Sequence, residues 1–545
     1  MKSSRPGSAS TLWATKPATI TRGNKTKTPF YAAPATQSLW ARPSLARACL
    51  KALLLGVVLT LLFAGLAYAG DRGGGATGGA ADVAAKVAGR PSAAETVAEL
   101  GHVKTALNLF FLIFGGSLVF FMQAGFAMVE TGFCRSKNAV HVIMTNFVIF
   151  AIGIVAYWAV GFALQFGGVG TLTTLGATQP LSGLAQIAPG WGVIGHQGFF
   201  LSGRSYDVAI MGFFFFQLVF MDTAATIPTG AMAERWKFSS FVVYGFFMAA
   251  IVYPIYGNWV WGGGWLSALG RNLGLGHGSL DFAGSGVVHA VGGFSALAGA
   301  LVLGPRIGKF AKDGAPRVIL AHNLPLAILG VIILVFGWVG FNGASTLAAT
   351  DLRFTVVVVN TFIASAFGCL TAMFLVWKRY GKPDPSMAAN GMLAGLVAVT
   401  APCAFVNTLG AALIGLVAGL LVVVAIVFVE GRLKVDDPVG AVSVHGVNGL
   451  WGLIALGLFA DGSYGDGLNG VAGTVRGLFY GGGAGQLGAQ LVSVAVVVAW
   501  SFGLMYAFFR IQDKLQGIRV TRDQETMGLD VPEMGVAAYP DSLHL

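Results

Sequence analysis

The reading of this chain turns on two stretches, DFAGSGVVHAVGG at residues 281–293 and DPVGAVSVHGVNG at residues 437–449. Both follow the template D-x-x-G-x-x-x-V-H-x-V-x-G, and each sets one histidine in an apolar, glycine-rich run. His289 and His445 stand 156 residues apart. A titratable ring in a run of this hydrophobicity is expensive unless it serves a purpose, and a second copy of the arrangement asks for a structural reason.

The composition supplies the setting. Of 545 residues, 55% are hydrophobic and only 10% charged, against roughly 25% charged in soluble domains. Eleven apolar segments long enough to enter a bilayer follow residue 104, near 105–129, 140–166, 207–232, 238–262, 284–304, 322–341, 354–377, 388–403, 408–430, 439–460 and 486–510. The eighth is short. The net charge of +11 is uneven: residues 1–70 hold nine Lys or Arg and no acid, leaving 11 − 9 = +2 for the rest, so the basic balance speaks to targeting and topology rather than to nucleic acid. The four cysteines, Cys49, Cys134, Cys369 and Cys403, form no C-x-x-C pair and predict neither a disulfide framework nor a metal site.

Ahead of the spans, residues 1–69 read as a leader. The apolar stretch 52–69 ends in Ala67-Tyr68-Ala69, as a signal peptide cleaved before Gly70 would, although the long acid-free start also suits an organelle transit segment. Residues 70–104 are expected to be a flexible exported segment, 105–510 the membrane domain and 511–545 a cytoplasmic tail. With the mature N-terminus outside, the inner connections hold 17 Lys and Arg, from Arg135 to Arg522, and the outer ones four: Arg204, Arg271, Arg353 and Arg476. This bias supports eleven spans, N-out and C-in.

The count explains the duplicated template. One copy opens the fifth span and the other the tenth, so the two helices run in opposite directions. That is the pattern of an inverted repeat, spans 1–5 against 6–10 with span 11 added. Each histidine lies eight residues after its aspartate, roughly 12 Å into a core about 30 Å thick. Entering from opposite faces, the two imidazoles should meet near mid-membrane, with Gly286, Gly292, Gly293, Gly446 and Gly449 allowing close packing or a narrow lumen beside them. The aspartates read as helix caps, Asp281 equally as a group near an outer cation site.

In these segments the chain resembles the ammonium transporter family (Amt/Mep/Rh), its Amt branch in particular. The likeness rests on FFQLVFMDTAATIPTGAMAER (215–235), NWVWGGGWL (258–266), HNLP (322–325), GWVGFNGAS (337–345) and VDDPVGAVSVHGVNG (435–449), in that order along the chain. The resemblance implies an all-α polytopic membrane protein that is a homotrimer with one pore per subunit, and a transporter rather than an enzyme, without cofactor. It implies that Trp261 and Phe216 line an outer vestibule, that Ser345 accepts a hydrogen bond from the cation, that Phe220 and Phe341 stack as a gate, that Trp338 lies beside His289 and His445, and that Asp281 sits under the outer site. It further implies a place in the inner (plasma) membrane and, through the tail stretch 525–540, a PII-type signalling protein as possible partner. Met534 departs from the family's usual histidine there, and Asp222, two residues after Phe220, replaces a small residue.

The chemistry is intelligible on its own terms. Aromatic faces attract a compact cation by up to about 2 kcal/mol when desolvated. Carrying the intact ion through an apolar conduit costs far more, whereas ammonia without its proton can cross, hydrogen-bonding to neutral imidazoles that serve as donor and acceptor. Three rivals remain at this point: an ammonium sensor with little flux, though no kinase- or cyclase-like segment occurs within the chain; a membrane haem protein ligated by both histidines; and a urea or water channel, which has no use for an outer cation cage.

Overall fold

The computed structural model describes residues 92–465 and 471–540. The leader lies outside the described residues, as does most of the segment from 70 to 104. Eleven helical spans follow: α1 Ala93–Phe133, α2 Ser136–Phe166, α3 Val208–Met232, α4 Phe238–Trp261, α5 Ser285–Leu303, α6 Leu324–Thr346, α7 Arg353–Tyr380, α8 Pro385–Thr400, α9 Thr408–Gly431, α10 Val442–Phe459 and α11 Gly485–Gln516. All but α8 are long and apolar enough to cross a membrane. At 16 residues, α8 covers about 24 Å, and the buried turn Ala401–Phe405 continues its path.

Boundaries shift where local caps override hydropathy. Helix α1 begins at Ala93, not near 105, because Ser92 and Glu95 form a reciprocal capping box; the expected flexible segment is therefore helical over its last twelve residues, 93–104. The same helix runs on to Phe133, past the expected end at 129. Other starts carry polar caps that satisfy the first free amides: Asp207 before α3, Asn323 before α6, Asp384 before α8 and Asn407 before α9. Two short hairpins, β1 Leu184–Gln186 with β2 Gly192–Gly195 and β3 Asp461–Gly465 with β4 Thr474–Arg476, fold the loops after α2 and α10.

The pairing of helices carries the inverted repeat. Within the first five spans, α1 packs on α3, α2 on α3 and α4, α3 on α4 and α5. The second five repeat this set: α6 on α8, α7 on α8 and α9, α8 on α9 and α10. The contacts of α1 with α6 and of α5 with α10 join each of these helices to its own counterpart across the pseudo-two-fold axis. Small residues make this packing possible. A Cβ at Gly132 would meet the backbone nitrogen of Ala327 at 2.6 Å, and one at Gly330 the carbonyl of Gly125 at 2.6 Å. Between α7 and α8, Gly368 and Gly391 face each other's carbonyls in the same way. Side chains such as Phe147, Ile332, Phe374 and Val424 point outward and exposed, as a lipid-facing surface requires.

At the α10-start face, buried charges bind the connections together. Arg306 pairs with Asp436 at 2.8 Å and with Glu234 at 3.0 Å, and all three side chains are buried. Burial acts against the Asp436 carboxyl, yet the Arg235 and Arg306 guanidinium groups hold it well below the usual carboxylate range. The tail docks on this face. Lys137 donates to the carbonyl of Glu525, Leu529 to the side chain of Asn138, and His141 N–H to Asp530. Arg306→Ala takes the paired guanidinium from buried Asp436 and leaves Glu234 to Arg135, so it should lower unfolding stability by about 3–5 kcal/mol, read as a fall in thermal midpoint in detergent.

Candidate functional site

The duplicated template becomes a pair of matched helix starts. Asp281 accepts from the amide of Gly284 at 2.9 Å through one carboxylate oxygen and from Gly286 and Val287 at 2.8 and 2.9 Å through the other. Asp437 does the same at the opposite end of the axis, accepting from Gly440 at 3.0 Å and Val442 at 2.7 Å. The fourth residue of each template is glycine because the chain turns there with positive φ, +116° at Gly284 and +81° at Gly440. Beyond the turn, each histidine falls in a π-helical turn, Ser285–Ala290 in α5 and Val442–Val447 in α10; such turns recur at functional sites. The final glycine of each template lies against the other copy: a Cβ on Gly293 would overlap Gly446, and one on Gly449 would overlap the carbonyl of Ser285. The two histidine segments thus interlock.

The result is a contact between the imidazoles. His289 Nδ1 lies 3.1 Å from His445 Nδ1, with ring centroids 5.2 Å apart. One nitrogen of that pair donates and the other accepts. His289 is fully buried and His445 nearly so. From His289 a column of rings leads toward the Asp281 end. It stacks on Trp338 at 5.2 Å and on Phe341 at 5.4 Å; Phe341 stacks on Phe220 at 4.2 Å; Phe220 meets Phe216 at 4.7 Å and Trp261 at 6.2 Å. Trp338 is held by its Nε1–H to Thr400 Oγ1 at 3.0 Å, and Trp261 by its Nε1–H to the Asp281 carbonyl at 2.6 Å.

Above the phenylalanine pair opens a cavity of about 530 Å³, lined among others by Phe216, Phe220, Trp261, Asp281 and Ser345. Ser345 donates its hydroxyl proton to the Phe341 carbonyl at 2.7 Å, which leaves its lone pairs for an incoming donor. Burial pushes the Asp281 carboxyl up to about 6 against the pull of the Val287, Gly286 and Gly284 amides. With both oxygens turned to these amides, Asp281 fixes the helix start. On the far side of the histidines lies a second, small cavity of about 20 Å³, lined by His445, Glu130, Asn390 and apolar side chains. The nine residues singled out in the sequence therefore fall in one file: five around the large cavity, Phe341, Trp338 and His289 within the column, and His445 at the small cavity. Asp222 lines neither cavity; it is buried in α3, with Oδ1 unpartnered among the described residues.

Among the lining residues that escaped the sequence reading are Gln217, Asn390 and Glu130. Gln217 and Asn390 gave no signal beyond being polar within apolar runs. Glu130 did give one, an acid in an apolar stretch, but the first span was drawn to end at 129, which put it in a loop. A haem does not fit the pair. The imidazoles meet directly, Nδ1 to Nδ1 at 3.1 Å, which leaves no room for a macrocycle between them, and the adjoining space holds about 20 Å³.

Comparisons with known proteins agree with this architecture. The family model described as Ammonium Transporter Family matches residues 109–539. The ammonium transporter Amt2 of Archaeoglobus fulgidus is 48% identical over 453 residues, covering 83% of this chain and 92% of the relative. The ammonium transporter 1 member 3 of Solanum lycopersicum is 35% identical, covering 81% and 94%. Among solved structures, a Sensor Amt Protein superposes with a TM-score of 0.69 at 37% identity, covering 79% of this chain and 99% of that one. Candida albicans Mep2 gives 0.64 at 28%, covering 77% and 87%. Because Gly293 abuts Gly446, a Gly293→Ala substitution should part the imidazoles: transport activity in reconstituted vesicles is expected to fall, with the unfolding midpoint lowered by the equivalent of about 1–3 kcal/mol of overpacking.

Proposed function

The chain belongs to the ammonium transporter family, and from that premise we propose that it takes NH4+ into the large cavity, strips one proton there and passes ammonia along the ring column while the proton travels separately. The observation that carries the reading is the direct His289–His445 contact directly behind a stacked phenylalanine pair. The faces of Trp261, Phe216 and Phe220 attract the cation, and the free lone pairs of Ser345 accept one of its protons. Phe220 and Phe341 close the way at 4.2 Å, so each passage needs them to swing apart, and no hydrated ion fits through. Ammonia then meets imidazole nitrogens that offer it both a donor and an acceptor. Potassium carries no proton to give up and stops in the cavity.

The 17-to-4 distribution of basic residues supports a multi-pass protein with the large cavity and mature N-terminus outside and the tail in the cytoplasm. The family resemblance supports a homotrimer in the inner (plasma) membrane, with a PII-type protein able to dock on the face formed by the tail. The leader reading, a cleaved signal peptide before Gly70, goes with this orientation. A second reading, ammonium sensing with little flux, draws support from the likeness to the solved Sensor Amt Protein.

One assay separates these. In proteoliposomes on a solid-supported membrane, an ammonium pulse should evoke a current in the wild type that a potassium pulse does not. Changing both His289 and His445 to Ala should abolish it or open the path to potassium. A double variant that matches the wild type in current and selectivity would overturn the mechanism, and a wild type that binds ammonium but passes no current would favour sensing.

A further inference from the structure

The small cavity behind His445 contains a carboxyl group that the mechanism above leaves unused. Glu130 sits in the last turn of α1, 2% exposed, and no guanidinium or ammonium group pairs with it among the described residues. Asn146 Nδ2 donates to its Oε2 at 2.7 Å, and Thr229 Oγ1 lies 2.8 Å from both of its oxygens. Thr229 Oγ1 also lies 2.6 Å from the carbonyl of Thr226. A hydroxyl has one proton, and a carbonyl can only accept. If the Thr229 proton points at Glu130, the contact needs no proton on Glu130 and the carboxylate can be ionised. If it points at Thr226, Glu130 carries a proton of its own and donates it to Thr229. The same heavy-atom positions serve both states, and passing from one to the other takes only a rotation of one hydroxyl.

The cavity that joins Glu130 to His445 holds about 20 Å³, room for one water or one ammonia, with Glu130, His445 and Asn390 as its polar walls. We propose that Glu130 is the proton-holding group at the exit side of the pore, taking the proton relayed through the imidazoles and returning it to departing ammonia. This deepens the transport reading above and rests on it. In the first step an N–H bond of protonated His445 breaks, the molecule in the cavity accepts that proton and gives up another, and an O–H bond forms on the Glu130 carboxylate. In the second step that O–H bond breaks, an N–H bond forms on ammonia, and ammonium leaves with the carboxylate restored. A negative group at this depth also draws the positive charge past the histidines, which no other lining residue of the small cavity does.

The titratable groups facing Glu130 from the neighbouring elements are His445 and Asp437 at the α10 start, Tyr244 on α4 and Cys134 after α1. A pH profile must be read against them. The test uses the full chain in proteoliposomes and records ammonium-evoked current while the pH on the tail side is varied. Glu130→Gln should cut the current by about a hundredfold or more, in the range a positioned proton-transfer group supplies, and flatten its dependence on tail-side pH. Glu130→Asp should restore part of both. Current and pH profile unchanged in Glu130→Gln would overturn the proposal, and so would equal losses in Gln and Asp with the wild-type pH profile, since a packing role predicts those. Should Glu130→Gln fail to fold, Thr229→Val decides: a displaced pH profile supports the proposal and a superimposable one overturns it. A wild type silent to ammonium would instead bring down the transport reading itself, and the wild-type trace tells the two failures apart.

Discussion

Two imidazoles in direct contact at 3.1 Å, in an interior with no bulk water, set the terms for everything around them. Polar groups so placed must be satisfied by each other or by what passes between them. Keeping them together requires two helix starts brought in from opposite faces, each fixed by its own carboxylate on three or two backbone amides, and each ending in a glycine that lets the other helix approach. The aspartate, the first glycine, the histidine and the last glycine of the template are thus four parts of one device. Removing either aspartate frees the amides of its helix start from the carboxylate that accepts them.

The aromatic column extends this logic outward. Trp338 is pinned to Thr400 and Trp261 to the Asp281 backbone, so the rings nearest the imidazoles and nearest the large cavity are both anchored by their N–H groups. Phe220 and Phe341 between them have no polar handle. They stack on one another at 4.2 Å and are packed by the rings around them rather than by hydrogen bonds.

Much of this was legible in the chain. The eleven spans and the meeting of His289 with His445 followed from hydropathy and the repeated template. The ring residues required the family resemblance, because nothing in a composition holding 40 Phe and 12 Trp separates a pore aromatic from a packing one. What escaped had local causes. The start of α1 was hidden by a capping box in a glycine- and alanine-rich region. Glu130 fell one residue beyond a drawn boundary. The π-helical turns left no mark on a pattern read at 3.6 residues per turn. Nor did the hairpins β1–β2 and β3–β4, whose strands of three to five residues are too short for alternation to emerge.

The inverted repeat has a kinetic corollary. At its centre the molecule is nearly the same seen from either side: a histidine on a capped helix, facing its twin. Such a core has no built-in sense of direction, and net movement through it follows the difference in chemical potential across the bilayer. Whatever rectification the protein shows must originate where the two halves diverge, with a closed pair of hydrocarbon rings on one flank and a lone acid on the other. Divergence of the repeats at those flanking positions, rather than at the histidines, is then the means by which evolution could turn an even-handed conduit into one that favours import.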